Sequence, residues 1–204
     1  MRLTVTTFLT LDGVVQGPGG PDEDRDGGFE SGGWMAPFVD DDLNAIVGER
    51  FGRADAFLLG RRTYDIFAGY WPRVDAPDDP VATNLNALPK YVASTTLTDP
   101  EWAGTTVLTD VVGQVQELKA RPGRELQVHG SGELLQTLIA HGLVDEYRLW
   151  VVPVVLGAGK RLFREGTPPT GMRLVDSRTT GSGATLLTCE PTGKPEYGYI
   201  GLDD

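Results

Sequence analysis

Cysteine occurs once in this chain, at Cys189, and histidine twice, at His129 and His141. A single thiol cannot close an intramolecular disulfide and cannot build a cysteine metal cluster. Two histidines are too few for a histidine-rich metal site, so no metal is expected. No apolar run reaches the ~18 residues that a membrane-spanning helix needs. Basic residues are outnumbered, 18 lysines and arginines against 29 aspartates and glutamates, for a net charge of −11. Without a basic excess a nucleic-acid partner is not expected, and an anionic ligand must be held by local donors against the overall field. The first residues, MRLTVTTFLTLDG, run straight into a strand pattern with no signal-peptide core or cleavage site. The expected compartment is therefore the cytoplasm.

What is present points to one α/β domain. The 204 residues, 40% of them hydrophobic, suffice for a single core; we expect the domain over residues 1–190 and a weakly patterned tail over 191–204. The segment ELQVHGSGELLQTLIAHG, Glu125 to Gly142, organises the rest. Leu126 to Val128 reads as a buried strand. Gly130, Ser131 and Gly132 turn the chain with little side-chain bulk. Leu134, Leu135, Leu138 and Ile139 follow at helical spacing, and Gly142 sits where a helix terminates. A strand, a glycine turn and a helix N-terminus together form an anion site, because the first helical N–H groups lack internal partners and the helix dipole adds positive potential. The same segment also fits an ordinary tight strand-to-helix turn.

The remaining elements alternate. Strands are expected at Arg2–Leu9, Ala56–Leu59, Tyr91–Ser94, Thr105–Leu108 and Asp145–Val152, with a closing hairpin of Arg173–Thr179 and Ala184–Glu190 around Gly181-Ser182-Gly183. Helices are expected from Asp40, from Gly60 to about Ala68, and from Asp110. Residues 17–33, rich in glycine and acids, read as a mobile loop, and residues 75–80 as a further loop. Trp34 and Phe38, which end the long loop, are candidates either to line a substrate pocket or to anchor the loop. Alternating strands and helices imply a mainly parallel sheet with right-handed crossovers, and the hairpin implies an antiparallel edge. Ligands of such sheets bind at the carboxyl ends of the strands. Three phosphate-compatible turns fall there: Gly60-Arg61-Arg62-Thr63, Ser94-Thr95-Thr96 and Gly130-Ser131-Gly132. Three anion sites on neighbouring strands suit a dinucleotide, and an arginine with hydroxyls suits an adenosine 2′-phosphate, which favours NADP over NAD. Arg62 is expected to pair with Asp65 or solvent rather than ligand.

With these motifs in place, the chain resembles the dihydrofolate reductase-like family, and within it the reductase domain of the bifunctional riboflavin-biosynthesis deaminase/reductase. The resemblance rests on TLDG at Thr10 to Gly13, LLGRRTYD at Leu58 to Asp65, YVASTTL at Tyr91 to Leu97, and the long run from Val128 to Phe163. It implies a three-layer fold, with a central, mostly parallel eight-stranded sheet, an antiparallel C-terminal edge and flanking helices. It implies NADPH as hydride donor and a homodimer; Tyr147 and Trp150 are candidates either for its interface or for the core. Carried over residue by residue, it assigns Thr10, Asp12 and Gly13 to the loop over the nicotinamide. Gly60, Arg61 and Thr63 take the cofactor phosphates, Ser94 and Thr95 the 2′-phosphate, and Gly130, Ser131, Gly132, Glu133 and Leu134 the pyrophosphate turn. The Gly-Gly turn of folate reductases has a cis peptide; here the resemblance leaves cis and trans open at Gly130-Ser131.

Two departures stand out. Asn44 occupies the place of the folate enzymes' carboxylic acid and cannot supply its proton, though it remains a substrate-side candidate. Leu88 stands where those enzymes keep the arginine that grips the glutamate tail, and Lys90 nearby has no fork. The proton is expected from water or from a nearby acid, for which Asp42 and Glu49 are the candidates. The expected activity is NADPH-dependent reduction of a small heterocycle. By resemblance this is a riboflavin-pathway pyrimidine such as 5-amino-6-(5-phosphoribosylamino)uracil. The chain lacks the H-x-E and C-x-x-C signature of a zinc deaminase. The alternatives are a non-catalytic NADP- or ligand-binding protein and a true dihydrofolate reductase.

Overall fold

The structure is a computed structural model that describes residues 1–201. Its centre is an eight-stranded sheet in the order β4-β3-β2-β5-β1-β6-β8-β7. The strands are β1 (Arg2–Thr10), β2 (Ala54–Gly60), β3 (Lys90–Ala93), β4 (Thr105–Leu108), β5 (Glu125–His129), β6 (Glu146–Val152), β7 (Gly171–Thr179) and β8 (Thr185–Gly193). The first six run parallel to one another. The hairpin β7–β8 adds an antiparallel edge against β6. This is the expected three-layer architecture. Strand β8 runs to Gly193, so the expected tail is in part sheet; its residues 202–204 lie outside the described residues.

The period-2 pattern of each strand sends alternate residues to opposite faces. Leu3, Val5, Leu58, Leu126, Val128 and Tyr147 face one core, covered by α4 (Val111–Ala120) and α5 (Gly132–Ala140). The opposite face carries Phe57, Leu59 and Trp150, and is covered by α1 (Asp41–Phe51), α2 (Arg61–Tyr70) and α3 (Pro80–Ala87). Tyr147 and Trp150 are 4% and 1% exposed, so both belong to the core of the chain and not to its outer surface.

Three helices are capped by aspartate. Asp40, Asp79 and Asp110 accept hydrogen bonds from Leu43 N, Val81 N and Gly113 N respectively. Helix α3 is absent from the sequence reading, which took Asp75–Pro80 as loop and assigned nothing to the following residues. Its Asn and Thr residues are weak helix formers, but Asp79 caps it, Pro80 takes the first position, and Ala82 and Leu85 are buried. Lys90 closes its other end by donating from Nζ to the carbonyls of Leu85 and Leu88, with its ammonium 4.6 Å from the Trp102 ring centroid. Burial pushes Lys90 down to about 8. It is fully enclosed and unavailable to a ligand.

The glycine-rich segment 17–33 is tied down rather than loose. Gln16 Nε2 donates to the carbonyls of Asp24 and Asp26, and Trp34 Nε1 donates to Gln16 O. Lys160 and Arg62 each bridge Asp24 and Asp26. Phe29 and Trp34 are buried with Val14, Leu43 and Trp150. The partners that order the segment are thus remote in sequence.

Candidate functional site

One cleft of about 1380 Å³ runs along the carboxyl ends of β2, β3, β4 and β5 and continues beneath α1. Its first half is built on two helix N-termini. Helix α2 starts at Gly60 and helix α5 at Ser131, and neither has the side-chain cap the other three helices possess. The two starts are locked together. Ser131 Oγ accepts from Gly60 N at 2.9 Å and donates to His129 O at 3.0 Å, while Ser131 N donates to Thr63 Oγ1 at 3.1 Å. These bonds hold Gly130 and Ser131 at φ 54° and 60°; among the described residues Ser131 is the only non-glycine in the left-handed region. All described peptide bonds are trans, including Gly130-Ser131. Helix α5 ends as the glycine suggested, with Gly142 at φ 61° and Leu143 N donating to Leu138 O.

Gly60, Arg61, Thr63, Ser94, Thr95 and all of Gly130 to Leu134 line this half, so those cofactor-side candidates converge as expected. Arg61, not Arg62, makes the pair with Asp65. Arg61 Nε bonds both carboxylate oxygens of Asp65, at 2.8 and 2.9 Å, and its NH1 reaches Thr96 Oγ1 at 3.5 Å. Arg62 instead pairs with Asp24 and Asp26. Glu133 pairs with Arg164.

Thr10, Asp12 and Gly13 do not line the cleft. Asp12 accepts from Thr10 Oγ1, Leu156 N and Gly157 N, and so secures the glycine turn that follows β6. The Thr10 hydroxyl, with those amides, lowers Asp12 to about 2. The next residues, Val15 to Gly19, take the place at the cleft instead. Gln16, Asp24, Asp26 and Lys160 also line it and were missed; the readable signal was the pairing of an acidic loop with a lysine after a glycine turn.

The second half lies against α1. Asn44, Val47, Gly48 and Phe51 face it at helical spacing, joined by Leu43 from the same helix and by Ile66, Phe67, Trp71 and Val81. Asn44 is therefore where the sequence put it. Asp42 and Glu49 are not: each lies two residues from a cleft-facing position and so points roughly 160° away. Asp42 accepts from Gly181 N at 3.1 Å, and Glu49 is paired with Arg53 and Arg178. Hydrogen bonding from Arg178 holds the Glu49 carboxyl below the usual range, so it has no proton to give. Trp34 is buried and Phe38 packs against the same cluster, its carbonyl accepting from Ser182 Oγ; both act as anchors. Met35, Ala36 and Val39 line the cleft in their stead.

Between the two halves lies His129. Its ring stacks on Phe51 with centroids 4.3 Å apart, and it is 7% exposed. Beneath it Glu125, Gln127 and His129 alternate along one face of β5. Arg148, 1% exposed, bonds both oxygens of Glu125 at 2.7 and 2.9 Å and one oxygen of Glu146 at 2.6 Å. Gln127 Nε2 donates to Arg50 O and to Glu125, each at 2.7 Å. Both its protons are thus used, and its carbonyl oxygen must accept from His129 Nε2 at 3.0 Å. The imidazole is the Nε2–H tautomer. Burial, aided by the charge of Arg148, pushes His129 down to about 3. A lowered folded-state value means that the unfolded chain binds the extra proton below its ordinary value near 6.5. Stability from this group is therefore complete above about pH 6.5 and falls by about 1.4 kcal/mol per pH unit below it. Urea unfolding at pH 7 and pH 5 should differ by roughly 2 kcal/mol from His129, and that difference should vanish in His129→Phe.

The comparisons with known proteins agree with this geometry. The sequence profile of the RibD C-terminal domain matches residues 2–186. The chain belongs to the RibD C-terminal domain family. A relative, the uncharacterized protein YyaP of Bacillus subtilis (strain 168), is 31% identical over 192 residues, which is 91% of this chain and 93% of that one. A putative riboflavin biosynthesis protein from Shewanella sp. PV-4 superposes with a TM-score of 0.66 at 22% identity, over 94% of this chain and 99% of the other. The diaminohydroxyphosphoribosylaminopyrimidine deaminase/5-amino-6-(5-phosphoribosylamino)uracil reductase of Thermotoga maritima superposes with a TM-score of 0.59 at 16% identity. There the likeness covers 93% of this chain but 56% of the larger protein. Fold and RibD membership are those of reductase-like domains. Among the described residues no helix is long and apolar enough to cross a membrane, and no group of three or more histidine, cysteine or acidic side chains is placed to hold a metal ion.

Proposed function

We propose that this RibD-family chain is an NADPH-dependent reductase that transfers a hydride to a small heterocycle. The observation that carries the reading is the contrast among helix starts. Asp40, Asp79 and Asp110 cap three helices, whereas α2 and α5 are uncapped, joined through Ser131, and open on the cleft. Two sets of unpaired N–H groups side by side fit a pyrophosphate. Arg61, Ser94, Thr95 and Thr96 cluster where β3 ends, which supports a 2′-phosphate and hence NADPH rather than NADH.

When bound, the dihydronicotinamide supplies a hydride, and the chain's task is to orient it and exclude water. Among the described residues, Glu23, Asp24, Asp26 and Glu133 line the phosphate-side half of the cleft and not the α1 half. The acid in the α1 half is Asp79, which is engaged in capping α3. The proton is therefore assigned to water. By family resemblance the candidate substrate carries a pyrimidine ring of the riboflavin-pathway type. The missing acid also favours a second reading, a cofactor-binding protein without turnover.

Fluorescence titration tests the shared claim. NADPH should bind at least about tenfold tighter than NADH, and Arg61→Ala should erase the difference. Failure of both nucleotides to bind would overturn the reading. NADPH oxidation over a panel of heterocycles separates the reductase from the non-catalytic protein.

A further inference from the structure

Beyond the glycine turn the cleft becomes apolar and loses its positive charge. Leu43, Val47, Phe51, Phe67 and Trp71 form the walls, and Ile66 at the mouth is 42% exposed. The cations that line the cleft are Arg61, Arg62 and Lys160. The arginines start α2, and Lys160 is bound to Asp24 and Asp26 beside Arg62, so all three sit with the phosphate-binding turns. Among the described residues no lysine or arginine lines the α1 half. Arg50 and Arg148 share a separate small void with Val47, Phe51 and His129 but are paired with Asp176, Glu125 and Glu146, so a phosphate there would gain no free cation in a protein of net charge −11.

We propose that this half of the cleft takes an uncharged, planar heterocycle without a phosphate, and that His129 Nδ1 accepts a hydrogen bond from a ring N–H of that ligand. The inference deepens the reductase reading and rests on it. With Nε2–H committed to Gln127, Nδ1 keeps its lone pair and has no partner among the described residues. It belongs to a ring 93% buried, on a 7% exposure, fixed in plane by its stack on Phe51. The ladder from Arg148 through Glu125 and Gln127 settles the tautomer from below. Because the ring stays neutral far below pH 6, it remains an acceptor at every working pH. Asn44, whose amide makes no side-chain hydrogen bond, adds a second polar contact on the same wall. A flat ring fits between these walls, and one donor is read by one lone pair.

The test uses protein saturated with NADP+, so that the phosphate-binding turns are filled. The probes are quinazolin-4(3H)-one and its 3-methyl derivative, which lacks the ring N–H, followed by uridine and uridine 5′-phosphate. Calorimetry should show the parent ring binding about tenfold tighter than the methylated one. In His129→Phe the two should bind alike. The ligand pair compared on the unmodified protein keeps the test alive if that variant fails to fold. With two histidines in the chain, 15N-histidine spectra are simple. The unprotonated nitrogen of His129 should shift upfield with quinazolinone and stay in place with the methyl derivative. The proposal is overturned if quinazolinone does not bind at millimolar concentration. It is equally overturned if the preference for the N–H ring survives in His129→Phe, or if uridine 5′-phosphate binds more tightly than uridine. The preceding NADP+ titration separates the failures: if NADP+ binds and the ring series fails, only the ligand class falls; if NADP+ does not bind, the reductase reading falls as well.

Discussion

Gly132→Asp should weaken NADPH binding about 100-fold and leave the protein folded. Gly132 is the first residue of α5, and a Cβ built on it meets only Val15 Cγ2 at 3.9 Å. Its φ is not positive, so a side chain brings no backbone strain. An aspartate in the first helical turn is, if anything, favourable to the helix. The same carboxylate would lie about 5 Å from a bound phosphate, where two unit charges repel by roughly 3 kcal/mol at an effective dielectric of ~20. Gly132→Ala separates charge from bulk and should bind within about threefold of the parent. Thermal melts and NADPH titrations on both variants check the result. Parent-like affinity in Gly132→Asp would mean that the phosphates lie elsewhere.

The second large effect concerns stability. Arg148→Met removes the cation from between Glu125 and Glu146, whose side chains are 12% and 11% exposed; it leaves Glu125 without a cation and Glu146 with Arg2 alone. Breaking a buried pair from one side costs about 3–5 kcal/mol. For a chain of this size that corresponds to a melting temperature lower by roughly 10 °C. Converting Glu125 and Glu146 to glutamine in the same background should return most of the loss, because no charge is then left unpaired. If the single variant melts like the parent, the ion cluster is not what holds β5 and β6 beneath α1.

The sheet was legible because its signals are local. β-Branched residues at period two mark β1 and β4, and Thr105–Leu108 has its expected bounds. The turn at Gly130 to Gly132 was equally open to reading, since strand, small residues and helix follow one another within a few positions. What escaped depends on distant partners. Residues 17–33 look loose from their glycines, yet Gln16, Arg62 and Lys160 pin them. Helix α3 is weak by composition and exists because Leu85 and Ala82 find a core. Glu125, Gln127 and His129 alternate with Leu126 and Val128, which reads as a half-wet strand; only α1 lying over them makes that face a buried polar ladder. Asp42 and Glu49 failed as donors because helical phase turns them from the cleft, and Trp34 and Phe38 because burial claims them first.

The cross-tie of Asp24 and Asp26 with Lys160 and Arg62 bears on how an anion enters. Both cations at that rim have carboxylate partners within the chain itself. A phosphorylated guest entering there would have to swap partners with those carboxylates instead of discharging a bare positive patch. Such an exchange leaves the total of paired charges nearly unchanged, and it makes the rim a poor trap for stray sulfate or polyanions while still admitting a molecule that can also use the helix amides.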